Sequence, residues 1–388
     1  MDTYSVEFYD LLSRALGTTD RYTLQGYLDE VMAAKYNQLQ LDGFTFADDM
    51  LLDFTYEQVQ REVGLNVMAQ YVDIDAPAIP LGGQGLTLGT GKIPRMKLVE
   101  YLNEDKIRKK LILEQRFGRG SDRVINSAKN DLFTTLDKLI GGHTNSLTYQ
   151  RHQMVSNRAV VLTDKNNPNG IVNQIFSARV PEDNVTKLTG AARWWTDDKM
   201  TKEGTAANPI ADMKRIVKIA KRKGIQGHFE VDEEYMDHVL GHSKVVEAIA
   251  IDTFVGMDVE KTRLTVAGMA DDDKIKKLTK LVGAPIKTID SIVAVEKWDK
   301  TKKKLDTVTF RAFESNVIVF VPDGNIGEVL TVEPISVGGT VSTFYEGRLM
   351  LTVGMDPVKK CQSFNTEMTS LVVPDKPQCM YYLHPYSA

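Results

Sequence analysis

Apolar residues recur at steps of three and four across residues 121–157. Val124, Ala128, Leu132, Leu136, Leu139 and Ile140 stripe one side of a helix, and Leu147, Met154 and Val155 prolong the stripe. Read as one element, the run is over thirty residues long, against a mean of about 11–12 for globular helices. Gly141 and Gly142 are expected to kink it or split it in two. The pattern then changes abruptly. RAVVLTD reads as β sequence, KNNPNG breaks it, and IVNQIFSARV resumes it. Asn169-Gly170 permits the positive φ angles of a tight hairpin turn. The centre of the chain, residues 121–180, is thus a very long helix feeding a β-hairpin.

The flanks differ in character. Residues 1–63 read as short helices: VEFYDLLSRAL, then LQGYLDEVMAAKYNQL, then TYEQVQRE. With Phe44, Phe46, Leu51, Leu52 and Phe54 they have too little core of their own and should bury their apolar faces elsewhere. Between residues 64 and 120, VMAQYVDI reads as a strand, APAIPLGGQGLTLGTGKIP as a Gly/Pro-rich excursion, MKLVEYL as its return, and NEDKIRKKLILEQRFGRG as a charged run. A long loop without a core is usually functional. After the hairpin, Asn208-Pro209 is an N-cap and first-turn pair. The helix it starts has an apolar face of Ile210, Met213, Ile216, Val217 and Ala220 and ends at Gly224. Residues 225–340 read as an α+β unit: the strand HFEV, a helix capped by Asp232, the helices SKVVEAIAIDTF and DKIKKLTKLV, then TIDSIVAVEKW, LDTVTFRAF and NVIVFVPDG as strands. Residues 341–388 are β-rich again, and this tail is expected to return to the sheet begun at residues 159–180.

Composition changes this picture little. The chain has 388 residues, 42% hydrophobic and 26% charged, with a net charge of −4. There is no global cationic field for nucleic acid. Two cysteines, Cys361 and Cys379, fit free buried thiols in a reducing cytoplasm, with a disulfide between them as the alternative. The N-terminal MDTYSVEFYDLL lacks the basic and apolar regions of a secretion signal. No apolar run approaches the ~18–20 residues needed to span a membrane.

Candidate chemistry is sparse. A phosphate-binding P-loop needs G-x4-G-K-[ST] before a helix. Here Gly91-Lys92 is followed by Ile93-Pro94, and Leu86 stands where the first glycine belongs. His238 and His242, i and i+4 with Glu234 a turn earlier, have a metal-ligand spacing but no third ligand. Two solvent-facing histidines are the simpler reading. Asp271-Asp272-Asp273 reads as a favourable charge at a helix N-terminus. Trp194-Trp195 reads as a loop packed on the core, with a subunit contact as the alternative. Lys214, Arg215, Lys218, Lys221 and Arg222 form the basic side of their helix: a solvated face, or a contact with a polyanion such as packaged nucleic acid. No cofactor, metal or catalytic residue is assigned.

The order of elements, with three stretches, resembles a known family. The stretches are FTYEQVQREVGLNVMAQYVDIDAPAI (residues 54–79), RWWTDDKMTKEGTAANPIADMKRIVKIA (193–220), and VIVFVPDGNIGEV through FNTEMTSLVVPDKPQCMYYLHP (317–385). They resemble the tailed-bacteriophage major capsid proteins of the Hong Kong 97 fold, within them the phage lambda major head protein-like family. The resemblance implies an α+β subunit of distinct parts. These are an N-terminal helical arm (1–63), an extended loop (64–120), a peripheral domain with a spine helix (121–224) completed by residues 341–388, and an inserted axial domain (225–340). It implies a structural protein of the virion, assembled in the host bacterial cytoplasm. Hexamers and pentamers would build an icosahedral head around double-stranded DNA contacted non-specifically. A scaffolding protein and a portal are implied as partners, with a decoration protein as a further one. An encapsulin-like bacterial compartment shell of the same fold is the alternative. In either shell, a Gly/Pro-tipped loop cannot bury its apolar residues in a core of its own. Contacts with neighbouring subunits are therefore expected at Ile79, Leu81, Leu86, Leu88, Lys92, Ile93 and Arg95. The basic residues Lys214, Arg215, Lys218, Lys221 and Arg222 are expected to face DNA.

Overall fold

A computed structural model describes residues 41–61, 86–102, 109, 112, 116, 122–168, 175–253, 259–299, 304–335, 341–356 and 361–386. The two N-terminal helices expected before residue 41, the strand VMAQYVDI and the Asn169-Gly170 turn lie outside the described residues.

Along the chain, β1 (Phe44–Phe46), β2 (Thr55–Arg61), β3 (Leu86–Lys92) and β4 (Arg95–Leu102) precede the long helix α1 (Asp122–Ser156). There follow β5 (Ala159–Val161), β6 (Ile175–Ser177), β7 (Val185–Lys187), α2 (Pro209–Arg222), β8 (Gly227–Asp232), α3 (Glu233–Gly241), α4 (Ser243–Thr253), α5 (Val259–Ala267) and α6 (Asp271–Val282). The remainder is β: β9 (Ile286–Ile289), β10 (Ile292–Asp299), β11 (Lys304–Arg311), β12 (Ile318–Pro322), β13 (Gly327–Val332), β14 (Val341–Tyr345), β15 (Leu349–Asp356), β16 (Cys361–Pro374) and β17 (Tyr381–His384).

The predicted stripe becomes α1, 35 residues long, or about 52 Å at 1.5 Å per residue. Leu136, Leu139, Ile140, Leu147, Met154 and Val155 are all buried. The expected break at Gly141-Gly142 does not occur: the helix runs straight through. A packing requirement explains one of the two glycines. A Cβ on Gly142 would overlap Cδ1 of Leu98 on β4, so the bare backbone lets that strand close in.

The chain divides into two compact units, and the division falls inside α1, between Thr148 and Tyr149. The first unit gathers residues 1–56, 92–148 and 329–372. Its sheet runs β1-β13-β16-β15-β14, with β4 also paired to β16. β16 is flanked antiparallel by β15 (Val353 opposite Phe364) and β4 (Leu98 opposite Thr366). Phe44, Leu349, Leu351, Phe364, Met368 and Leu371 supply buried side chains.

The second unit gathers residues 57–91, 149–328 and 373–388. Its five-stranded sheet runs β7-β17-β12-β8-β9. It is mixed: β12 is antiparallel to β17 and β8, while β17–β7 and β8–β9 are parallel. Every residue of β12, IVFVP, is buried, as a central strand covered on both faces requires. Phe229, Phe320 and Tyr381 stack edge to face across it. Asn208 caps α2, its side-chain oxygen accepting from the Ala211 N–H at 3.1 Å, and Pro209 opens the helix. Asp232 caps α3 in the same way, from the Tyr235 N–H.

Two further expectations are corrected. TYEQVQR is a strand paired with β3, not a helix. Its Thr, Tyr and Val favour an extended chain, and a seven-residue segment lacks the length to sustain a helix alone. The tail does not rejoin the β5–β6 hairpin, which is a separate two-stranded sheet. β14–β16 build the first unit's sheet, and β17 enters the second unit's sheet between β7 and β12. The segment YYLH is buried almost throughout, which suits an interior strand better than a hairpin edge.

Candidate functional site

The sequence candidates for catalysis come apart in the structure. His238 and His242 do not share a helix face: α3 ends at Gly241, and His242 is its extended C-cap. His238 is solvent-facing as expected, but His242 is 1% exposed. Its ring packs on Trp195 at 5.2 Å, and its Nε2 lies 3.8 Å from a Glu203 oxygen. Burial pushes its pKa down, against the pull of Glu203. Glu203 is itself held by the Ser243 N–H at 2.7 Å, so it anchors a loop to the start of α4. Trp194 and Trp195 are both core residues, and the Trp194 Nε1–H donates to Asp212 at 2.9 Å. Among the described residues, no three His, Cys, Asp or Glu are placed to hold a metal ion. None of their helices is long and apolar enough to cross a membrane. Cys379 is a buried free thiol.

The loop residues expected to touch neighbours are distributed as follows. Ile79 and Leu81 lie outside the described residues, Leu86 and Leu88 are on β3, and Lys92 ends that strand exposed. Ile93 is already buried within its own chain, with 4% of its surface exposed, and its N–H donates to the Phe54 carbonyl at 2.8 Å. The premise that it needs a partner surface therefore fails. Arg95 pairs with Glu367 at 2.5 Å and lies over the Phe54 ring. On β4 itself Val99 and Tyr101, which share one face of the strand, are exposed.

The basic residues Lys214, Arg215, Lys218, Lys221 and Arg222 do share one side of α2, all exposed, while Ile210, Met213, Ile216, Val217 and Ala220 are buried opposite them. The amphipathic pattern thus places five cations on one rigid surface.

Sequence reading missed the buried polar groups of α1. His143 and Arg151 occupy positions of the apolar stripe, and that was the available signal. His143 lies in the first unit, its Nε2 2.9 Å from the Thr366 hydroxyl of β16. Burial pushes its pKa down to about 4. Arg151 lies in the second unit and grips Glu230 of β8 with two hydrogen bonds, 2.7 and 2.5 Å. Burial opposes ionisation of Glu230, yet His228 and Arg151 together hold its carboxyl down at about 2. His228 stands between Glu230, at 3.5 Å, and Asp323, at 2.9 Å. These carboxylates raise its pKa, Glu230 most, with burial opposing. Such groups fix helix to sheet.

The described residues thus present a long helix, two β-rich units and an exposed basic helix face. What kind of protein they build is given by the family comparison. Residues 28–383 match the model of the phage major capsid protein E family, and the chain belongs to that family. It is a phage major capsid protein, a structural component of the virion and not an enzyme. No curated protein matches the sequence. Solved structures similar to it include a phage-related protein from Bordetella bronchiseptica RB50, with 12% identity, a TM-score of 0.45, and coverage of 97% of this chain and 96% of that one. The capsid protein of cyanophage A-1(L) is 10% identical, with a TM-score of 0.44 and coverage of 90% and 92%. That of cyanophage P-SCSP1u is 8% identical, with a TM-score of 0.43 and coverage of 88% and 86%.

Proposed function

We propose that this subunit assembles, as hexamers and pentamers, into the icosahedral head of a tailed double-stranded DNA phage, with a fold of the Hong Kong 97 type. The observation that carries the reading is the family match over nearly the whole chain. The element order supports it: an extended segment with β3 and β4, then the 35-residue spine α1, a hairpin, an α+β region and a β-rich tail. In this reading residues 121–224 and 341–388 form the peripheral domain and residues 225–340 the axial one. Residues 64–120 reach over a neighbouring subunit, with Ile79, Leu81, Leu86, Leu88 and Lys92 as contacts. Arms that overlap neighbours create large interfaces in which no single contact has to be strong. A scaffolding protein and a portal direct assembly, and the basic side of α2 faces the packaged DNA.

Negative-stain electron microscopy of the purified protein, with its mass from size-exclusion chromatography, tests this. Closed shells, or hexamers and pentamers, are expected. Deletion of residues 80–94 should abolish them and leave a folded monomer. A deletion variant that still closes normal shells would remove the loop assignment. A wild-type protein that stays monomeric at high concentration with scaffolding protein supplied would remove the head assignment.

A further inference from the structure

The cations of α2 are not equivalent. Arg215 is offset by Asp212, 3.5 Å away on the same helix, and Asp212 is fixed in turn by the Trp194 indole. Lys221 reaches the Gly283 carbonyl at 3.5 Å, at the C-terminal end of α6, where a cation meets the negative end of the helix dipole. Lys223, just past the end of α2, lies over the Tyr381 ring at 5.4 Å. Among the described residues, Lys214, Lys218 and Arg222 have no carboxylate partner. These three are exposed and spaced i, i+4 and i+8. They make one line of charges about 6 Å apart and about 12 Å long.

We propose that Lys214, Lys218 and Arg222 form a three-point track for the phosphate backbone of double-stranded DNA, and that Arg215 and Lys221 are structural. The proposal rests on the reading above that the shell encloses a DNA genome. Three features of the helix support it. The opposite face is anchored in the core through Met213, Ile216, Val217 and Ala220, and the N-terminus is capped by Asn208. The charges therefore sit on a fixed rod, and little backbone freedom is lost on binding. The exposed side of α2 carries Ala211, Ile219 and cations but no Asn or Gln, the side chains that read adenine edges. Its polar groups are cations alone, which can hold the phosphates of a duplex of any sequence, as a container for a whole genome requires. Finally, the chain as a whole carries a net charge of −4. A local cationic line on an acidic subunit gives weak, salt-sensitive contact, which leaves packaged DNA free to slide into place.

The test uses dissociated full-length subunits and a short random-sequence duplex, titrated over a range of salt concentrations. Binding should weaken linearly in log–log form. In the triple variant K214Q/K218Q/R222Q the slope should fall by about 2.7, which is 0.9 for each of three phosphates. The pairwise exchange D212N/R215Q keeps the local charge balance and an oxygen for the Trp194 indole, and its slope should match wild type. An unchanged slope in the triple variant, an equal fall in the exchange variant, or a wild type that does not bind overturns the track. Polyglutamate is the second probe. If the triple variant loses polyglutamate binding but keeps its duplex slope, the track belongs to an acidic protein segment and the DNA assignment is overturned. Electron microscopy of the same preparations separates the two readings: shells with an unchanged slope sink the track alone, whereas a wild type without shells sinks the head assignment.

Discussion

The two halves of α1 bury polar groups in opposite ways. In the first unit, His143 enters an apolar setting as a neutral ring, with one hydroxyl near it and its Nδ1 without a hydrogen-bond partner among the described residues. Two turns later, in the second unit, Arg151 enters as a full charge and meets a full counter-charge in Glu230, both almost completely buried. Other polar groups of this second half are also matched: Gln153 donates to the Ala312 carbonyl at 2.8 Å, and the Ser156 hydroxyl accepts from the Glu314 N–H at 3.0 Å. The first half fixes its helix mainly by shape, the second by directed bonds. The lesson concerns failure. A neutral buried ring is tolerated until a proton arrives, whereas a buried ion pair is tolerated only while both partners remain.

The largest expected effect therefore comes from breaking the pair. Arg151→Met leaves the Glu230 carboxylate buried with His228 as its remaining cationic neighbour, and should destabilise the second unit by about 3–5 kcal/mol. The double variant Arg151→Met/Glu230→Leu should recover most of that loss, because the desolvation penalty disappears with the charge. Trp194, Trp195 and Trp298 all belong to the second unit. Denaturant unfolding followed by tryptophan fluorescence thus reads that unit directly. A double variant no more stable than the single one would show that the site needs the ion pair itself, not merely charge balance.

The next effect turns the comparison into a pH dependence. His143 has a folded pKa of about 4 against an ordinary value of 6.5. The unfolded chain takes up the proton first as pH falls. Stability is thus full above about 6.5 and declines by about 3 kcal/mol as pH drops to about 4. His228 is shifted the other way. Its contribution is full below 6.5 and is lost as pH rises through its raised folded value. His242 and His384, both pushed down by burial, oppose it within the same unit. The signs are therefore read from variants. His143→Gln keeps a hydrogen-bonding group near Thr366 and should flatten the acid decline, measured by hydrogen exchange of β16. His228→Gln should remove an alkaline decline in the fluorescence transition. Equal pH profiles for the two variants would contradict the opposed signs.

Much of this architecture was legible in the sequence. The stripe of α1, the Asn208-Pro209 start of α2, the Asp232 cap of α3 and the strands β10 and β11 follow from local patterns, and each appears where expected. What failed depended on partners distant in sequence. TYEQVQR is extended because it pairs with β3, and YYLH lies between β7 and β12, in a different sheet from the β5–β6 hairpin. His143 and Arg151 could be noticed as polar residues on an apolar stripe. Their meaning depended on Thr366 and Glu230, separated from them by 223 and 79 positions. The basic face was readable from helical periodicity. Its division into engaged and unpaired cations was not, because Gly283 and Tyr381 are contributed by other elements.

The smallest effect probes the shape-fixed half of α1. Gly141 and Gly142 have the same helical setting but different surroundings. Among the described residues, a Cβ on Gly141 meets nothing within 4 Å, whereas one on Gly142 overlaps the end of Leu98. Gly141→Ala should therefore gain the ordinary helix-propensity difference, up to about 1 kcal/mol. Gly142→Ala gains the same propensity but must push Leu98 aside, and should end near or below wild type. The partly exposed Leu98 can swing outward, so the loss is packing against α1 and not collapse of the fold. Circular-dichroism melts of the two variants give the difference directly, and Gly142→Ala/Leu98→Ala should return part of the propensity gain. If both glycine variants are stabilised equally, the close approach of β4 is not what requires Gly142, and shape complementarity in this half of the helix is looser than the first unit's packing implies.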